Sequence, residues 1–465
     1  MITRFGFKNF KAWENFGPVR FAPLTVLFGS NSSGKSSVAQ FLLMMKQTAE
    51  SPDRKMVFNI GSAKTAVDLG SFQEMVFEHD ETRKIAVDMH WSLAKSLKLE
   101  DSYAQKQYTG KSVRFEAEVG LEATGSASTL AVDRMNYTFG DLEADGFSAG
   151  MKRSDAPRTP FALIQEKYDF VRNQGRKWPI TGPVKCYGFP DEVVNYHQNA
   201  DVVRSLNLAF EQHFQNMFYL GPLRERFLRQ YSWTGEVPEH VGWKGEMAIP
   251  AILAAKGRRI NYGRGSKFKA FAEVVAFWLQ QLGLIESFEV NPVAPRRREY
   301  EVQVKTPGAR KLVNITDVGF GISQFLPVLV QCYYAPPDSV ILIEQPEIHL
   351  HPSAQAWLAD LFIDVIRSWE RGRAKNVQLI IESHSEHFLR RLQRRIAEQR
   401  FAREEVAAYF FKPGQNGASL EELDVDIFGN IRNWPEKFFG DTMEDAVAMT
   451  DAQMERIRQG EKPNE

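Results

Sequence analysis

The sequence predicts an α/β protein with a mostly parallel central sheet, an antiparallel β lobe and a large insertion. Short apolar runs, each followed by helical periodicity, are typical of strands buried on both faces of a parallel sheet. Alternating apolar and polar residues are typical of antiparallel strands with one wet face. The apolar runs are 24–28, 340–343 and 377–381, and the alternating runs are 84–91, 113–119 and 135–139.

Composition limits the class of protein. The chain has 465 residues, which fits one large domain with an insertion, or two to three domains. Its 58 Lys and Arg residues balance 58 Asp and Glu residues, so it lacks the overall basic excess of a DNA-coating protein. Two cysteines, Cys186 and Cys332, are too few for a disulfide framework. No apolar run approaches ~20 residues, so we expect a cytoplasmic protein without a membrane span.

The other segments are predicted from the same patterns. Residues 150–215 show a poor pattern apart from a helix near 202–215, and residues 220–265 resemble long functional loops because they are rich in Gly, Pro and Arg. The further predicted elements are a helix at 267–283, strands near 300–305 and 312–316, a helix from about Ser323 to Tyr334, helices at 357–369 and 386–399, and a strand at 406–411.

The first apolar run ends in a glycine-rich turn that leads into a helix. Gly29, Gly34, Lys35 and Ser36 match the pattern GxxxxGK[ST]. In such a turn, backbone N–H groups converge on phosphate oxygens at a helix N-terminus, the lysine neutralises the β and γ phosphates, and the serine ligates Mg²⁺. A Gly/Ser-rich surface turn is the alternative. The predicted phosphate-binding residues are Gly29, Asn31, Ser32, Ser33, Gly34, Lys35, Ser36 and Ser37.

The second apolar strand ends at Glu344, where a carboxylate beside a phosphate loop holds Mg²⁺ directly or through water. A hydrolase of this kind needs a carboxylate next to that ligand to polarise the attacking water, but this chain has Gln345. Glutamine can orient a water but cannot take its proton. Glu347 is the nearest substitute base, and slow or partner-dependent hydrolysis is the alternative.

Histidines cluster near the ends of the second and third apolar strands. His384 follows the third strand as Glu344 follows the second, so we expect His384 to hydrogen-bond the γ-phosphate. The spacings of His349 with His351 and of His384 with His387 also allow a zinc site. Phosphate binding already accounts for His384, which makes zinc the weaker interpretation.

Together, the 29–36 turn, the 344–352 string and Glu382-Ser383-His384-Ser385 resemble ABC-type ATPase heads, the P-loop NTPase class shared by RecF, SMC and OLD-family proteins. Segments 68–72, 219–224, 317–324 and 434–439 resemble, more narrowly, a little-characterised bacterial AAA/ABC-type ATPase family that ends in WPxxFF. The resemblance spans nearly the whole chain except about 95–200. It implies an N-terminal half-head at 1–77, a β lobe and inserted region at 78–299, a C-terminal half-head at 300–430 and a tail at 431–465.

The resemblance also implies further site residues. It places the signature segment, which in such heads reaches across a dimer to the partner's γ-phosphate, at about 318–324. The usual serine-glycine-glycine core is absent, so Gly319, Gly321 and Ser323 are the implied anion binders at a predicted helix start. The magnesium-contacting glutamine falls near Gln73, for which a surface loop glutamine is the alternative.

The implied function is a Mg²⁺-dependent ATPase that closes as a homodimer on ATP and acts as a switch on a separately encoded effector, in bacterial anti-phage defence or DNA maintenance. A DNA-binding repair ATPase of RecF type and a regulator with negligible hydrolysis are the alternatives. The missing signature serine and the long insertion argue against a transporter ATPase. Three basic clusters are compatible with either nucleic-acid contact or a solvated surface: Arg390, Arg391, Arg394 and Arg395; residues 256–269; and residues 296–298.

Overall fold

A six-stranded sheet lies at the centre of the computed structural model, which describes residues 1–101, 103–124, 127–156, 160–175, 178–261, 267–414, 417–435, 438 and 442–459. The strands are β1 (Ile2–Phe10), β2 (Trp13–Arg20), β3 (Leu24–Gly29), β4 (Ile85–Asp101), β5 (Lys106–Thr124), β6 (Ala127–Phe139), β7 (Phe147–Arg153), β8 (Phe161–Glu166), β9 (Met217–Leu220), β10 (Tyr231–Ser232), β11 (Arg259–Asn261), β12 (Lys269–Ala270), β13 (Ser287–Pro292), β14 (Glu299–Lys305), β15 (Val313–Asn314), β16 (Val340–Glu344), β17 (Trp369–Glu370), β18 (Arg373–Ala374), β19 (Gln378–Glu382), β20 (Val406–Gly414) and β21 (Gly417–Glu422).

Helices cover and connect the sheets. They are α1 (Ser36–Glu50), α2 (Phe72–Met75), α3 (Asp191–Tyr196), α4 (Asp201–Gln215), α5 (Ala248–Ala254), α6 (Phe271–Gln281), α7 (Phe320–Tyr334), α8 (Pro352–Arg367), α9 (Glu386–Ala397) and α10 (Thr442–Arg458). Short 3₁₀ helices lie at Phe77–His79, Ile315–Asp317 and Arg403–Glu405. No helix in the described ranges is long and apolar enough to cross a membrane.

The central sheet has the strand order β21-β20-β3-β19-β16-β9. All neighbours pair in parallel except β21, which is antiparallel to β20. Leu24 and Val26 belong to the core on one face of the sheet, whereas Leu27 belongs to the core on the other. The predicted parallel sheet, buried on both faces, is thus confirmed, and the carboxyl ends of β3, β19 and β16 lie side by side at one edge.

A second sheet forms the antiparallel lobe. Its order is β2-β1-β4-β5-β6-β7-β8, and it contains the three predicted alternating runs. One apolar core joins this sheet to α1, α4 and a face of the central sheet. Phe210 of α4 shows the packing, because its ring lies 4.9 Å from that of Phe115 and 4.3 Å from that of Tyr187. The lobe therefore packs over the phosphate-loop helix.

Three predictions of local structure were incomplete. Residues 220–265 contain α5 as well as loops; its sequence, AIPAILA, is buried on nearly every side and so lacks the periodicity that reveals a surface helix. Helix α7 starts at Phe320, three residues before the predicted Ser323, because Gly319 serves as its N-cap and Gly321 lies in its first turn. The four residues of β9 also belong to the central sheet, although the sequence places their segment in the predicted insertion.

Candidate functional site

The glycine-rich turn joins β3 to α1 and is shaped by residues with positive φ. Gly29, Ser32 and Gly34 have φ of 147°, 59° and 85°. A Cβ on Gly29 would lie 2.5 Å from the Phe411 carbonyl oxygen, and one on Gly34 would lie 2.7 Å from Trp13 Nε1. Both positions therefore require glycine, for its conformational freedom and for its missing side chain.

The turn presents backbone donors at the start of α1. None of the amides from Asn31 to Ser37 donates to an acceptor among the residues that the structure describes. Helix α1 has no side-chain cap and no acidic residue in its first turn. Asn31 and Ser32 are exposed, whereas Ser33 and Ser37 are buried. Free amides at a helix N-terminus attract anions, so the turn fits a phosphate group.

Lys35 is held inside the turn. Its Nζ donates to the carbonyls of Gly29 at 3.0 Å and of Ser30 at 2.6 Å, and only 3% of the residue is exposed. Burial lowers the pKa of Lys35, while the charges of Glu382, Glu347 and Glu344 oppose that shift. The ammonium group thus lies between the turn and a group of carboxylates, as a phosphate-binding lysine requires.

Ser36 contacts an acid that the predicted site did not include. Its Oγ lies 3.0 Å and 3.3 Å from the two carboxylate oxygens of Glu382, the last residue of β19. Burial raises the pKa of Glu382, and Lys35 and Ser36 oppose the shift. This contact brings the predicted magnesium-binding hydroxyl directly to a carboxylate.

Glu344 lies beside Glu382, because the register of β16 and β19 pairs the two residues. Its Oε1 accepts a hydrogen bond of 3.0 Å from the Tyr219 hydroxyl. Burial, together with the nearby charge of Glu382, raises the pKa of Glu344 to about 7. Two carboxylates that repel each other at neighbouring strand ends are suited to share a cation.

The charges around the turn also favour a divalent cation. The negative charges of Glu344, Glu347 and Glu382 favour the charged form of Lys35. Those of Glu344 and Glu347 do the same for Arg224, a second buried cation. Three carboxylates therefore face two cations. A buried excess of negative charge is costly unless a metal neutralises it, so the donor set fits Mg²⁺, with Ser36 and Glu344 as the predicted ligands and Glu382 beside them.

Gln345 occupies a left-handed turn after β16. Its φ is 45°, a conformation that costs a non-glycine residue free energy. Its amide donates to the Glu382 carbonyl at 2.8 Å. Arg224 donates to the carbonyl of Glu344 at 2.8 Å and to that of Gln345 at 3.3 Å. These bonds hold the turn in place beside the carboxylates.

Glu347 and His384 are joined directly. The amide of His384 donates to Glu347 Oε1 at 2.5 Å, while Glu347 Oε2 is buried without a partner among the described residues. Burial raises the pKa of Glu347. Burial and the charge of Lys35 lower the pKa of His384, which keeps its ring neutral at pH 7. Glu347 therefore holds the backbone of His384 in place, in addition to its predicted role as a base.

The predicted signature residues begin α7. Gly319 is the N-cap and nothing lies within 4 Å of a Cβ built on it, whereas a Cβ on Gly321 would lie 3.3 Å from the His349 carbonyl. Ser323 is buried, and its hydroxyl donates to the Phe320 carbonyl at 2.7 Å. Gly319 and Gly321 are thus placed at an accessible helix N-terminus, while the Ser323 hydroxyl is engaged within the helix.

The remaining predicted ligands lie apart from this site. Gln73 is exposed on α2, and none of the contacts made by described residues joins it to the glycine-rich turn. His351 caps α8 through Ser353, and His387 is exposed on α9. Within the described ranges, no group of three or more His, Cys, Asp and Glu residues could hold a metal. The described residues therefore give no support to the zinc interpretation, and the magnesium role of Gln73 stays a prediction.

The basic helix α9 is largely neutralised by neighbouring acids. Arg391 and Arg395 pair with Asp360, and Arg390 and Arg394 pair with acids one turn away on their own helix. In the second basic cluster, Arg258 forms a buried pair with Glu370 at 2.8 Å, and residues 262–266 lie outside the described ranges. These pairs favour a structural role for the α9 arginines and for Arg258 over nucleic-acid contact.

Three residues of the site were missed by sequence reasoning. Glu382 shows the same signal as Glu344, because it is an acid that ends a buried strand. The role of that segment was instead assigned to His384. Tyr219 and Arg224 lie more than one hundred residues before the turn that they contact. Their contacts depend on the pairing of β9 with β16, which no local pattern shows.

Solved structures that are similar to the chain include heads of SMC proteins. The chain is similar to an SMC head bound to the C-terminal winged-helix domain of ScpA, with 11% identity and a TM-score of 0.40 over 91% of this chain and 98% of that one. It is also similar to the SMC head domain from Thermotoga maritima, with 9% identity and a TM-score of 0.39 over 91% and 99%. No curated protein matches the chain.

Two family models match the C-terminal half. Residues 291–390 match the family described as AAA domain, putative AbiEii toxin, Type IV TA system, and residues 402–449 match a family of unknown function, DUF3696. The first match contains Glu344, His384 and the start of α7, and the parallel sheet places Glu344 and His384 near the glycine-rich turn of β3. The match of residues 291–390 to an AAA domain agrees with the ABC/AAA-type head that the sequence predicts.

Proposed function

We propose that this head binds and hydrolyses ATP with Mg²⁺ and works as a nucleotide-dependent dimeric switch. One observation carries the proposal: the carboxyl ends of β3, β19 and β16 bring Lys35, Ser36, Glu382 and Glu344 into one partly buried group. A cationic lysine, a hydroxyl and two adjacent carboxylates are the groups that a magnesium–triphosphate complex needs.

Each residue has a role that follows from its position. The amides of 31–37 and the ammonium group of Lys35 bind the β and γ phosphates, and Ser36 and Glu344 hold Mg²⁺. Gln345 orients the attacking water, Glu347 accepts its proton, and the neutral ring of His384 hydrogen-bonds the γ-phosphate. Because the best-placed side chain for the water is an amide and not a carboxylate, we expect slow turnover by the isolated protein.

The second copy of the chain completes the site. Gly319 and Gly321 present the N-terminus of α7, which attracts the γ-phosphate held by the partner. Exposed apolar side chains lie at this helix start and on the loop that contacts it: Leu223, Leu228, Leu312, Val313 and Phe320. Apolar surface of this kind favours association. The output is then a change in assembly, which we assign to a separately encoded effector in anti-phage defence or DNA maintenance.

Calorimetry of ATP binding tests the proposal. Lys35→Ala should weaken ATP affinity by about 10- to 100-fold, because a charge-assisted contact contributes about 1.5–3 kcal/mol. Lys84→Ala is the matched control, since Lys84 forms an exposed pair with Asp133 in the antiparallel lobe. Equal ATP affinity of the Lys35→Ala variant and the wild type would show that the nucleotide site is wrongly assigned.

A further inference from the structure

One loop contacts both the end of β16 and the start of α7. It comprises residues 221–230, between β9 and β10, and we call it the bridging loop. The amides of Gly221 and Glu225 donate to the carbonyls of Trp243 and Lys244, each at 2.9 Å. These bonds fix the path of the loop, so the side chains along it have defined positions.

The inner contact of the bridging loop is made by Arg224. Only 6% of this residue is exposed, and its guanidinium bridges the carbonyls of Glu344 and Gln345. Its fixed planar donors hold two acceptors at once, which the single ammonium group of lysine cannot do in the same geometry. Because Gln345 has the strained φ of 45°, the turn depends on such external support.

The outer contacts are made by Arg226 and Arg229. The Arg226 guanidinium lies 5.6 Å from the centre of the Phe320 ring. Arg229 binds both carboxylate oxygens of Asp317, at 2.6 Å and 3.2 Å, and its carbonyl accepts from Asn314 Nδ2 at 3.1 Å. The Arg229 side chain is 68% exposed and that of Asp317 44%, so this pair contributes little to stability and serves mainly to fix geometry.

We propose that the bridging loop couples the start of α7 to the Glu344–Gln345 turn, with Arg224 and Arg229 as the positioning residues at its two ends. The inference rests on the proposed function, because in the closed dimer the start of α7 contacts the nucleotide of the partner. Closure displaces Asp317 and Phe320, and the loop transmits this displacement to the turn that orients the water. Each site is thereby activated when the chain engages the other.

The Arg229→Ala variant tests the outer contact. Arg229 is exposed and does not touch the turn, so its removal should leave folding intact. We expect single-turnover hydrolysis, measured with protein in excess over ATP, to slow by about 10-fold, since a small misplacement of a reacting group has effects of this size. ATP affinity should change less than twofold. Arg153→Ala, which removes the exposed pair with Glu122 in the antiparallel lobe, should retain the wild-type rate.

The exchange of charges provides the rescue. Arg229→Asp and Asp317→Arg should each slow hydrolysis, and their combination should restore most of the rate because it restores the pair. In a double-mutant cycle, Arg224→Lys and Arg229→Ala should be non-additive, since both act through the same loop. Residues that act independently would instead multiply their effects.

The outcomes separate this inference from the proposed function. If wild-type protein does not bind ATP, the proposed function fails and the coupling fails with it. If the wild type binds and hydrolyses ATP but Arg229→Ala does so at the same rate, or if the two substitutions are additive, only the coupling is overturned. Loss of the ATP-dependent dimer in Arg229→Ala, measured by sedimentation, would also overturn it, because the residue would then act at the interface.

Discussion

The Ser36 hydroxyl lies 3.0 Å from Oε2 of Glu382, and this contact joins the start of α1 to the end of β19 across 346 residues of sequence. A serine that ligates a metal offers it an oxygen lone pair. A carboxylate that accepts a hydrogen bond from the same hydroxyl turns that lone pair towards the metal, so Glu382 would act on the metal through Ser36. The register places Glu382 beside Glu344 as well. One carboxylate thus lies beside both ligands of the proposed metal site.

The Glu382→Gln substitution should weaken Mg²⁺ binding. Outer partners of metal ligands typically change metal affinity by about 10–100-fold, and the amide keeps the shape of the side chain while it removes the charge. We expect the Mg²⁺ concentration for half-maximal ATP binding to rise by about 10-fold. ATP affinity without Mg²⁺ should stay equal or increase, because one negative charge near the phosphates is lost. Glu122→Gln, in the antiparallel lobe, is the control.

Proton release should accompany Mg²⁺ binding near neutral pH. The pKa of Glu344 is raised to about 7 in the free protein, so the group is half protonated at pH 7, and a metal ligand must be ionised. We expect release of about half a proton at pH 7, more at lower pH, and none well above pH 8. Mg²⁺ affinity should therefore rise as the pH increases through 7.

Calorimetry in two buffers of different ionisation enthalpy measures this release. The Glu344→Gln variant cannot lose a proton at this position and should show most of the effect removed. If the wild type binds Mg²⁺–ATP with no proton release between pH 6 and 8, the buried, protonated state of Glu344 is wrong.

Much of the fold could be predicted because its main signals are local. The apolar runs at β3, β16 and β19 are buried on both faces, which leaves no polar alternation to confuse them with surface strands. The alternating runs of the antiparallel lobe show the opposite signal just as clearly. Helix α5 and strand β9 were missed because a short, fully buried element has neither signal.

The site could be predicted only where a residue with suitable side-chain chemistry also lies in a recognisable sequence pattern. Lys35 and Ser36 lie in a motif, and Glu344 ends an apolar strand, so the sequence predicts a role for all three. Arg224 binds backbone carbonyls, which every residue has. The sequence therefore cannot show which residues Arg224 contacts. Such contacts depend on which strands become neighbours in the sheet.

Gly319 offers a selective test of the dimer. Nothing lies within 4 Å of a Cβ built at this position, so Gly319→Ala should be tolerated and should still dimerise with Mg²⁺–ATP. Gly319→Asp should also fold, since aspartate is a favoured N-cap, but its charge would repel the γ-phosphate of the partner. In sedimentation with ATP and Mg²⁺, we expect a dimer for the wild type and for Gly319→Ala and a monomer for Gly319→Asp. Identical behaviour of the two variants would contradict the role of this helix start.

We expect ATP turnover to depend on the pair Gln345 and Glu347. A general base typically contributes about 10²–10⁴-fold, and the residue next to Glu344 cannot act as one. We therefore expect wild-type ATP turnover below the common enzyme range of ~1–10³ s⁻¹. Gln345→Glu should raise the rate by about 100-fold, because it places a carboxylate where the amide orients the water. Steady-state phosphate release measures both rates.

Glu347→Gln separates the two roles of Glu347. The amide oxygen of the glutamine can still accept the hydrogen bond from the His384 amide, so the position of His384 is retained. The glutamine can no longer take a proton, however. We expect the residual hydrolysis to disappear in this variant while ATP affinity is unchanged. Persistence of the rate would limit Glu347 to holding His384. The wild type could instead hydrolyse ATP rapidly, with a rate that neither Gln345→Glu nor Glu347→Gln changes. This outcome would exclude the turn as the water-activating element, and Glu344 would then have to serve as both metal ligand and base.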